Sequence, residues 1–470
     1  MIRSKACHLH DLSVQELEEI EEDPRDLGGY FLLGLGKEWV ISLIESKKFN
    51  HPHIHITAGY ERELVRLEIL CKGGDGYEHS SELIIKLNNA FNISLTFTSN
   101  KTLKEFQIPF YLIYRLYNVI TDKDIVDQII SFTNSKILIN KIHCILQISL
   151  NVSEIPFIDA EKMIEFKDII LLLNSIFKKQ SSELISMFDE LLFPHIGKRM
   201  EDRFEKINYL SYLIYQMFLV YFKITLPTDR DSYVNKRIHT HGTSYAKVLK
   251  SIFNSEIHYK NKKYLDDNLT KHPITDLNTL VSGMRSILNK VNIERSFIKM
   301  IVAGKKEIKI SPNIISLNKL RTELLNRKNN LNTITTQRTI RISTVGASKQ
   351  DARADELRRV HSTQIGFVCP IASSDTGESV GIVKQLAILT TISQNQDSSI
   401  IKNFILKMET VSLIKNVDFL TIQKLYICRI FINGIPYAIT TDPHIFIRRF
   451  REYRRGFNWD EKKNILKVTH

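Results

Sequence analysis

The sequence predicts a mixed α+β protein assembled from several domains. Its 470 residues, 43% hydrophobic and 25% charged, exceed what one ordinary core holds and have the balance of a globular chain. Alternation with period two at Val65, Leu67 and Ile69, against Arg66 and Glu68, stands in the same chain as helical runs over 108–125 and 207–222. Both secondary-structure periods are therefore present, separated by turn clusters such as Lys72 to Gly76.

Taken in order, Gln15 to Asp23 reads as an acidic helix stopped by Pro24, its carboxylates forming a solvated face in preference to a metal cluster. Asp26 to Ile41 gives two short strands around a glycine turn. Gly36-Lys37 invites comparison with a phosphate-binding loop, but Phe31 stands where that loop needs Gly and Glu38 where it needs Ser or Thr, so the cradle fails. His51, His53 and His55 alternate and would share one strand face. With no carboxylate or cysteine beside them in sequence, they read as polar strand residues before metal ligands. From Glu61 the alternation, the glycine turn and the run Leu83 to Leu87 describe a hairpin. Ile108 to Ile125 follows as helix, break and helix, the second capped by Thr121 or Asp122. A further helix spans Tyr209 to Phe222. In Thr228 to Arg237, the density of Asp229, Arg230, Asp231, Lys236 and Arg237 reads as a salt-bridged hinge, with a hydrolytic acid/base pair as the weaker reading.

The net charge of +13 hides an asymmetry. Residues 1–235 hold 26 Lys+Arg against 33 Asp+Glu, and 236–470 hold 39 against 19. A half carrying +20 suits phosphate backbones, whose neutralisation releases counterions; a Lys- and Asn-rich bias of composition is the competing explanation. Between Lys319 and Arg359 ten cations face four acids, with too little apolar mass for a core. That segment reads as a basic loop held on a scaffold. Val380, Ile382, Val383, Leu386, Ala387 and Ile392 recur at near-helical spacing and predict a packed stripe, with Lys384 and Gln385 on its other side. Asn433-Gly434 predicts a tight hairpin turn. Helix 445–455 presents five arginines, as a solvated face or a second basic patch. Cys7, Cys71, Cys144, Cys369 and Cys428 lie far apart without a Cys-x-x-Cys pair, which fits a reducing compartment and excludes a zinc ribbon. Met1 to Asp11 has no apolar core, so no export signal is expected. The run Ile207 to Phe222 is short and interrupted by Asn208, Ser211 and Gln216, so a buried helix explains it better than a membrane span.

The densest motif is Leu357 to Leu386. It supplies Arg358, Val360, His361, Thr363, Gly366, Val368, Cys369 and Pro370, then Gly377, Gly381, Ile382, Val383 and Lys384. In that order it resembles the second-largest subunit of multisubunit RNA polymerases. Gly29, Tyr30, Phe31, Gly34 and Val40 are similar to that family's hairpin, although its Glu-Lys order is reversed here. Asp229, Arg230, Asp231, Lys236 and Arg237 match the eukaryotic, archaeal and large-DNA-virus branch. Thr333, Ile334, Thr335 and Arg338 resemble its fork, with Thr336 in place of the usual His and Thr339 in place of a second Arg. The acidic turn has become Ser373-Ser-Asp-Thr-Gly377.

The resemblance implies a protrusion, lobe, fork and partial external domain, with 1–57 and 187–256 as the two protrusion parts, 58–186 the lobe, 257–392 the fork and 393–470 the external part. It implies a segment of a DNA-directed RNA polymerase that shapes the DNA cleft, in an intracellular setting such as host cytoplasm, virion or nucleus, of viral or virus-like origin. Arg327, Arg338, Arg341, Arg358 and Lys384 would be nucleic-acid-binding residues, and His361 would support the loop beside the active centre. Such contacts position strands without reading sequence. Nucleotide addition in this family uses Mg2+ held by the largest subunit, and no Asp-x-Asp-x-Asp run occurs here. The implied partners are the largest subunit, the C-terminal remainder of the second-largest subunit, template DNA and nascent RNA, with no membrane. The chain alone is expected to be catalytically silent, as a split-gene piece or a truncated product. The departures at Thr336, Thr339 and the 373–376 turn leave a rival reading, a non-enzymatic nucleic-acid-binding remnant of the same fold.

Overall fold

The computed structural model describes residues 1–470 apart from 34–35, 58–62, 74–80, 100–104, 120, 152–180, 272–276, 291, 304, 312–313, 320, 343–357, 375–379, 394–396, 415–426 and 456–470. Helices and five sheets coexist in it, as the two sequence periods predict. The chain divides into two compact units, each gathered from two separate stretches. One comprises 1–47 with 231–392, the other 48–230 with 393–470.

In the first unit, a four-stranded sheet runs in the order Val383–Gln385, Thr339–Ile342, Leu43–Lys47, Lys236–His239. The pair Thr339–Ile342 with Leu43–Lys47 is parallel and the other two pairs are antiparallel. Parallel strands need a long crossover, and the nearly 300 residues between Leu43 and Ile340 provide it. A second sheet pairs Phe31–Leu33 with Lys37–Ile41, and the latter with Thr322–Leu324. Ile41, Val248, Ile252, Met300 and Ile301 form the core beside it. The described part of the segment expected as a basic loop, up to Ile342, is mostly regular. The helix Asn330–Gln337 follows the cap Asn329, whose side chain accepts from the Asn332 N–H, and the chain passes straight into the strand Thr339–Ile342. Residues 343–357 lie outside the described part.

The expected helical stripe over 380–392 is corrected. Val383–Gln385 is a short strand, and Val368 bridges Leu386. Lys384 therefore does not sit on an outer helix face; its register with Ile340 places it inside, 2% exposed.

The second unit carries an antiparallel meander in the order Pro52–Ile56, Glu63–Cys71, Ser81–Asn88, Ile93–Ser99, Glu105–Pro109. The alternating residues Val65, Leu67 and Ile69 are buried as predicted, packed under the helices Phe110–Leu116, Asp122–Ile130 and Arg203–Tyr221. Thr121 caps the second of these through the Asp124 N–H. Only His53 and His55 of the three alternating histidines lie on a strand, and no group of His, Cys, Asp and Glu among the described residues could hold a metal ion. No helix among them is long and apolar enough to cross a membrane.

His195 is buried in this unit, and among the described residues neither ring nitrogen meets full hydrogen-bond geometry, although the Gly434 backbone lies close enough to oppose its pKa shift weakly. Burial, with the nearby Lys206 charge, pushes its pKa down to about 3 from 6.5. Because the unfolded chain takes up this proton first, His195 contributes its full stability above pH 6.5 and loses it as pH falls towards 3. The expected slope is about 1.4 kcal/mol per pH unit. Urea unfolding of His195→Gln beside the parent between pH 6.5 and 4 should show a shallower acid limb in the variant.

Candidate nucleic-acid interface

The polymerase-like motif is built around one buried carboxylate. Glu45, from the strand Leu43–Lys47, receives Lys236 Nζ at 2.6 Å and Lys384 Nζ at 3.1 Å, and Tyr233 donates its hydroxyl to the same side chain at 2.9 Å. Both ammonium groups also lie over the Tyr233 ring, at 5.5 and 5.4 Å from its centroid. Burial pushes the Glu45 carboxyl up, but Lys384 and Lys236 outweigh it and hold the pKa below the usual carboxylate range. Lys236 lies 3.8 Å from Asp231 as well, so part of the charged 228–237 stretch is paired with itself.

Tyr233 joins this cluster to the histidine. Its backbone N–H donates to Thr363 Oγ1 at 2.9 Å, and that hydroxyl lies 2.7 Å from His361 Nδ1. His361 caps the short turn Ser362–Gln364, its Nδ1 accepting from the Thr363 N–H. With Nδ1 acting as acceptor, the neutral ring carries its proton on Nε2. The segment after this turn is held to the sheet by the Cys369 N–H on Gln385 O and the Ala387 N–H on Phe367 O, both 2.8 Å. Gly381, at φ +75°, lets the returning chain press against Arg358: a Cβ there would come within 2.3 Å of the Arg358 carbonyl oxygen. Here only glycine satisfies both the backbone conformation and the close approach.

Most of the sequence-expected binding residues are engaged inside the chain. Arg327 pairs with Glu38 at 2.5 Å and Asp26 at 2.8 Å and stacks on Tyr30; the hydrogen bond it donates to Glu38 leads the causes that raise its pKa. Arg341 pairs with Glu323. Arg338 donates to the carbonyls of Ala387 and Thr390 at 2.7 and 2.8 Å, pinning the loop after Lys384. The structure brings together Arg358, His361 and Lys384, by way of Tyr233 and the Gly381 turn, and places Arg327 in a separate cluster with Asp26 and Glu38. Thr339, where the resemblance expects an arginine, is buried, with its hydroxyl bonded to Thr335 O and Gln385 Nε2.

A cleft of about 160 Å³ lies over this frame, lined by Arg358, Arg359, Val360, Gln364, Val368 and Lys384 among others. Arg358 spans its edge, donating to Val380 O at 3.0 Å. Arg359 is exposed. Of the cleft's lining residues, Val360 and Ile365 each expose more than three-quarters of their surface. Reading the sequence missed Glu45, Tyr233 and Glu323, and passed over Arg359 as one cation among many. Glu45, between Ile44 and Ser46, carried no signal of its role in the sequence. Gly34 and Gly377, together with the end of the drifted acidic turn, lie outside the described residues.

Sequence comparison accounts for this arrangement. The profile described as RNA polymerase beta subunit matches residues 1–346, and that of RNA polymerase Rpb2, domain 3, matches 323–392, the stretch carrying Arg338, His361 and Lys384. The chain thus falls in the class of multisubunit polymerase components. It belongs to the RNA polymerase beta subunit family. Among similar proteins, the DNA-directed RNA polymerase subunit Rpo2N of Methanothermobacter thermautotrophicus is 26% identical, over 88% of this chain and 76% of its own length. The RNA polymerase II subunit RPB2 of Encephalitozoon cuniculi is 24% identical over 99% of this chain and 39% of its own length. DNA-directed RNA polymerase subunit 2 of Acanthamoeba polyphaga mimivirus is 24% identical over 80% and 31%. The chain therefore spans well under half the length of the last two.

Proposed function

We propose that this chain works inside a DNA-directed RNA polymerase, forming part of the DNA cleft and the fork near the active centre. On this reading 1–57 and 187–256 are protrusion, 58–186 lobe, 257–392 fork and 393–470 the start of an external domain. The observation that carries it is the coincidence of the Rpb2 domain 3 match with one cross-braced frame, Glu45–Lys384–Tyr233–Thr363–His361, under a cationic edge. Arg358 and Arg359 then supply the phosphate contacts. Lys384 acts through the frame and Arg338 pins the loop that follows it, while Arg327 and Arg341 are held apart from the frame by Asp26, Glu38 and Glu323. Such contacts orient strands and carry no sequence preference. Among the described residues no group of His, Cys, Asp and Glu could hold a metal ion. Mg2+ would be held by a largest subunit in the assembly, which with the C-terminal remainder of the second-largest subunit, DNA and RNA makes up its partners. The mimivirus relative supports a viral or virus-like setting, in host cytoplasm, virion or nucleus.

A second reading, a nucleic-acid-binding remnant without catalysis, draws on the internal engagement of Arg327, Arg338 and Arg341 and on the absence of a cation at Thr339. Co-purification distinguishes the two. A tagged chain should recover a largest subunit and, with a C-terminal part of a second-largest subunit, support template-dependent RNA synthesis; recovery as a lone DNA-binding monomer favours the remnant. In the same assembly, Arg358→Ala/Arg359→Ala should weaken DNA binding uniformly across sequences. It should also make the salt dependence shallower, by about 0.9 in log K against log salt for each phosphate that is no longer neutralised. An unchanged slope would remove these two arginines from the interface.

A further inference from the structure

In the second unit, the helix Pro443–Arg454 sorts its side chains by face. Phe446, Phe450 and Tyr453 are taken up by packing. Phe446 stacks on Phe450, while Tyr453 stacks on Phe404 of the helix Ser399–Leu406 with ring centroids 3.9 Å apart, and Phe450 meets the same ring edge-on. His444, Arg448, Arg451 and Arg455 recur at intervals of four, three and four residues, which sets them on the opposite face of the helix, and together they line one recess. All four are exposed, Arg448 with 83% of its side chain. Asp442 fixes the start of the helix by accepting from the His444 and Ile445 N–H groups.

The plainer reasons for a basic helix cover only part of this pattern. A Lys-rich composition explains surplus lysine: of the 65 basic residues 41 are Lys and 24 Arg, yet all five from 443 to 455 are Arg. Cations in the last turn complement the helix dipole, which covers Arg451 and Arg454 but not Arg448, a turn earlier. A merely solvated face carries mixed charges, whereas Glu452 is the one acid between 443 and 455. It pairs with Arg448 at 3.2 Å, and a pair between exposed partners holds too weakly to resist a stronger acceptor. Arginine's planar fork matches phosphate oxygens two at a time. From Arg448 to Arg455 the helix rises about 10 Å, which along one strand of a duplex covers about three phosphates at 3.4 Å of axis each. A phosphate backbone supplies an anion at every such step, whereas an acidic peptide would have to place its carboxylates to match. The aromatic rings of the helix are packed inside, so they offer unpaired bases no stacking platform, and a paired backbone fits the face better than a single strand.

We propose that Arg448, Arg451 and Arg455 form a further DNA-contacting face, seated on the phosphates of one strand of a duplex and blind to its sequence. The inference goes beyond the proposed function, whose phosphate contacts, Arg358 and Arg359, belong to the first unit.

The probe is a short fluorescein-labelled DNA duplex of arbitrary sequence, titrated with the full chain between about 50 and 200 mM KCl and followed by anisotropy. Arg448→Gln/Arg451→Gln/Arg455→Gln should bind at least tenfold more weakly than the parent, with log K against log salt shallower by about 0.9 for each phosphate lost, about 2.7 in all. Lys262→Gln/Lys263→Gln/Lys299→Gln removes the same charge from exposed positions on the helices Tyr259–Lys271 and Ile293–Ala303, and should change the affinity by less than threefold. A second readout needs no variant: in the parent chain, bound duplex should slow phenylglyoxal modification of Arg448, Arg451 and Arg455 at least fivefold, read by mass spectrometry. That protection should persist in Arg358→Ala/Arg359→Ala, so the two faces stand or fall separately. Equal weakening by the two triple variants would overturn the proposal by reducing it to net charge. So would an unchanged slope in a folded arginine variant, or modification rates that the duplex leaves unaltered. Stronger protection by a single strand than by the duplex would overturn the choice of a paired backbone, and protection by phosphatidylserine vesicles where the duplex gives none would reassign the face to a membrane surface.

Discussion

Glu45→Ala is expected to destabilise the first unit by about 3–5 kcal/mol, the range found when one partner of a buried ion pair is removed. The substitution strands two ammonium groups, Lys236 and Lys384, in a site where Glu45 is 5% and Lys384 2% exposed, and it deprives the Tyr233 hydroxyl of its acceptor. Glu45→Gln keeps the shape and one acceptor oxygen but loses the charge, so it should fall between parent and Ala. Glu45→Leu combined with Lys236→Met and Lys384→Met should recover most of the loss, since an apolar replacement of a whole buried ionic cluster is often neutral or better. Hydrogen exchange of the amides in Leu43–Lys47 measures this locally, which suits a chain of two units where a single unfolding transition is not assured. The pH dependence has a definite sign. The folded pKa of Glu45 lies below the ordinary 4.5, so its contribution is complete above that value and is lost as the solution is acidified through the folded pKa. Protection that is flat from pH 7 to 3, or equal in parent and Ala variant, would show that the cluster does not hold the sheet.

How much of this was legible beforehand depends on the range of the interaction concerned. Asn433-Gly434 was readable because the hairpin needs two residues at positive φ, and they stand at 52° and 83°. Thr121 was readable because a cap satisfies an N–H three residues away. The family motif was legible as a string, and the string led to the right protein family. The arrangement inside it was not. Val383–Gln385 is three residues long, too short to display a period of two, and the apolar residues flanking it fell by chance into helical spacing. Lys384 meets Glu45 across 339 positions of sequence, and Arg327 meets Glu38 across 289. A local pattern records that a segment is basic; it does not record which acids the fold will carry to it. Hence the segment from Lys319 to Arg359 reads as a basic loop held on a scaffold, whereas Arg327, Arg338, Arg341 and Arg358 are bound within the unit and the exposed Arg359 attracted no notice.

In the second unit the largest single effect is expected at Asp189, again about 3–5 kcal/mol for replacement by Ala. Asp189 is 5% exposed and gathers three groups: Tyr117 donates its hydroxyl to Oδ1 at 2.9 Å, Arg203 pairs with Oδ2 at 2.6 Å, and the Asp189 backbone carbonyl accepts from Lys206 Nζ at 2.7 Å. Lys206 is fully buried, and burial lowers its pKa to about 8 in spite of the attraction of Asp189. Between that value and the ordinary 10.5 the unfolded chain holds a proton that the folded chain has released, so Lys206 makes stability rise with pH across this window. Removing the Asp189 charge takes away the main force opposing desolvation, and the window should open at lower pH in the Ala variant. Lys206→Met should flatten the window altogether and, placed beside Asp189→Ala, should return part of the lost stability, because the second substitution removes the cation that the first left uncompensated. The double-mutant cycle would then show a coupling of about 0.5–3 kcal/mol, as groups sharing one network do. Strict additivity would mean that the Asp189 carboxylate stabilises the unit through Tyr117 and Arg203 alone, with Lys206 satisfied by the backbone carbonyl that both variants retain.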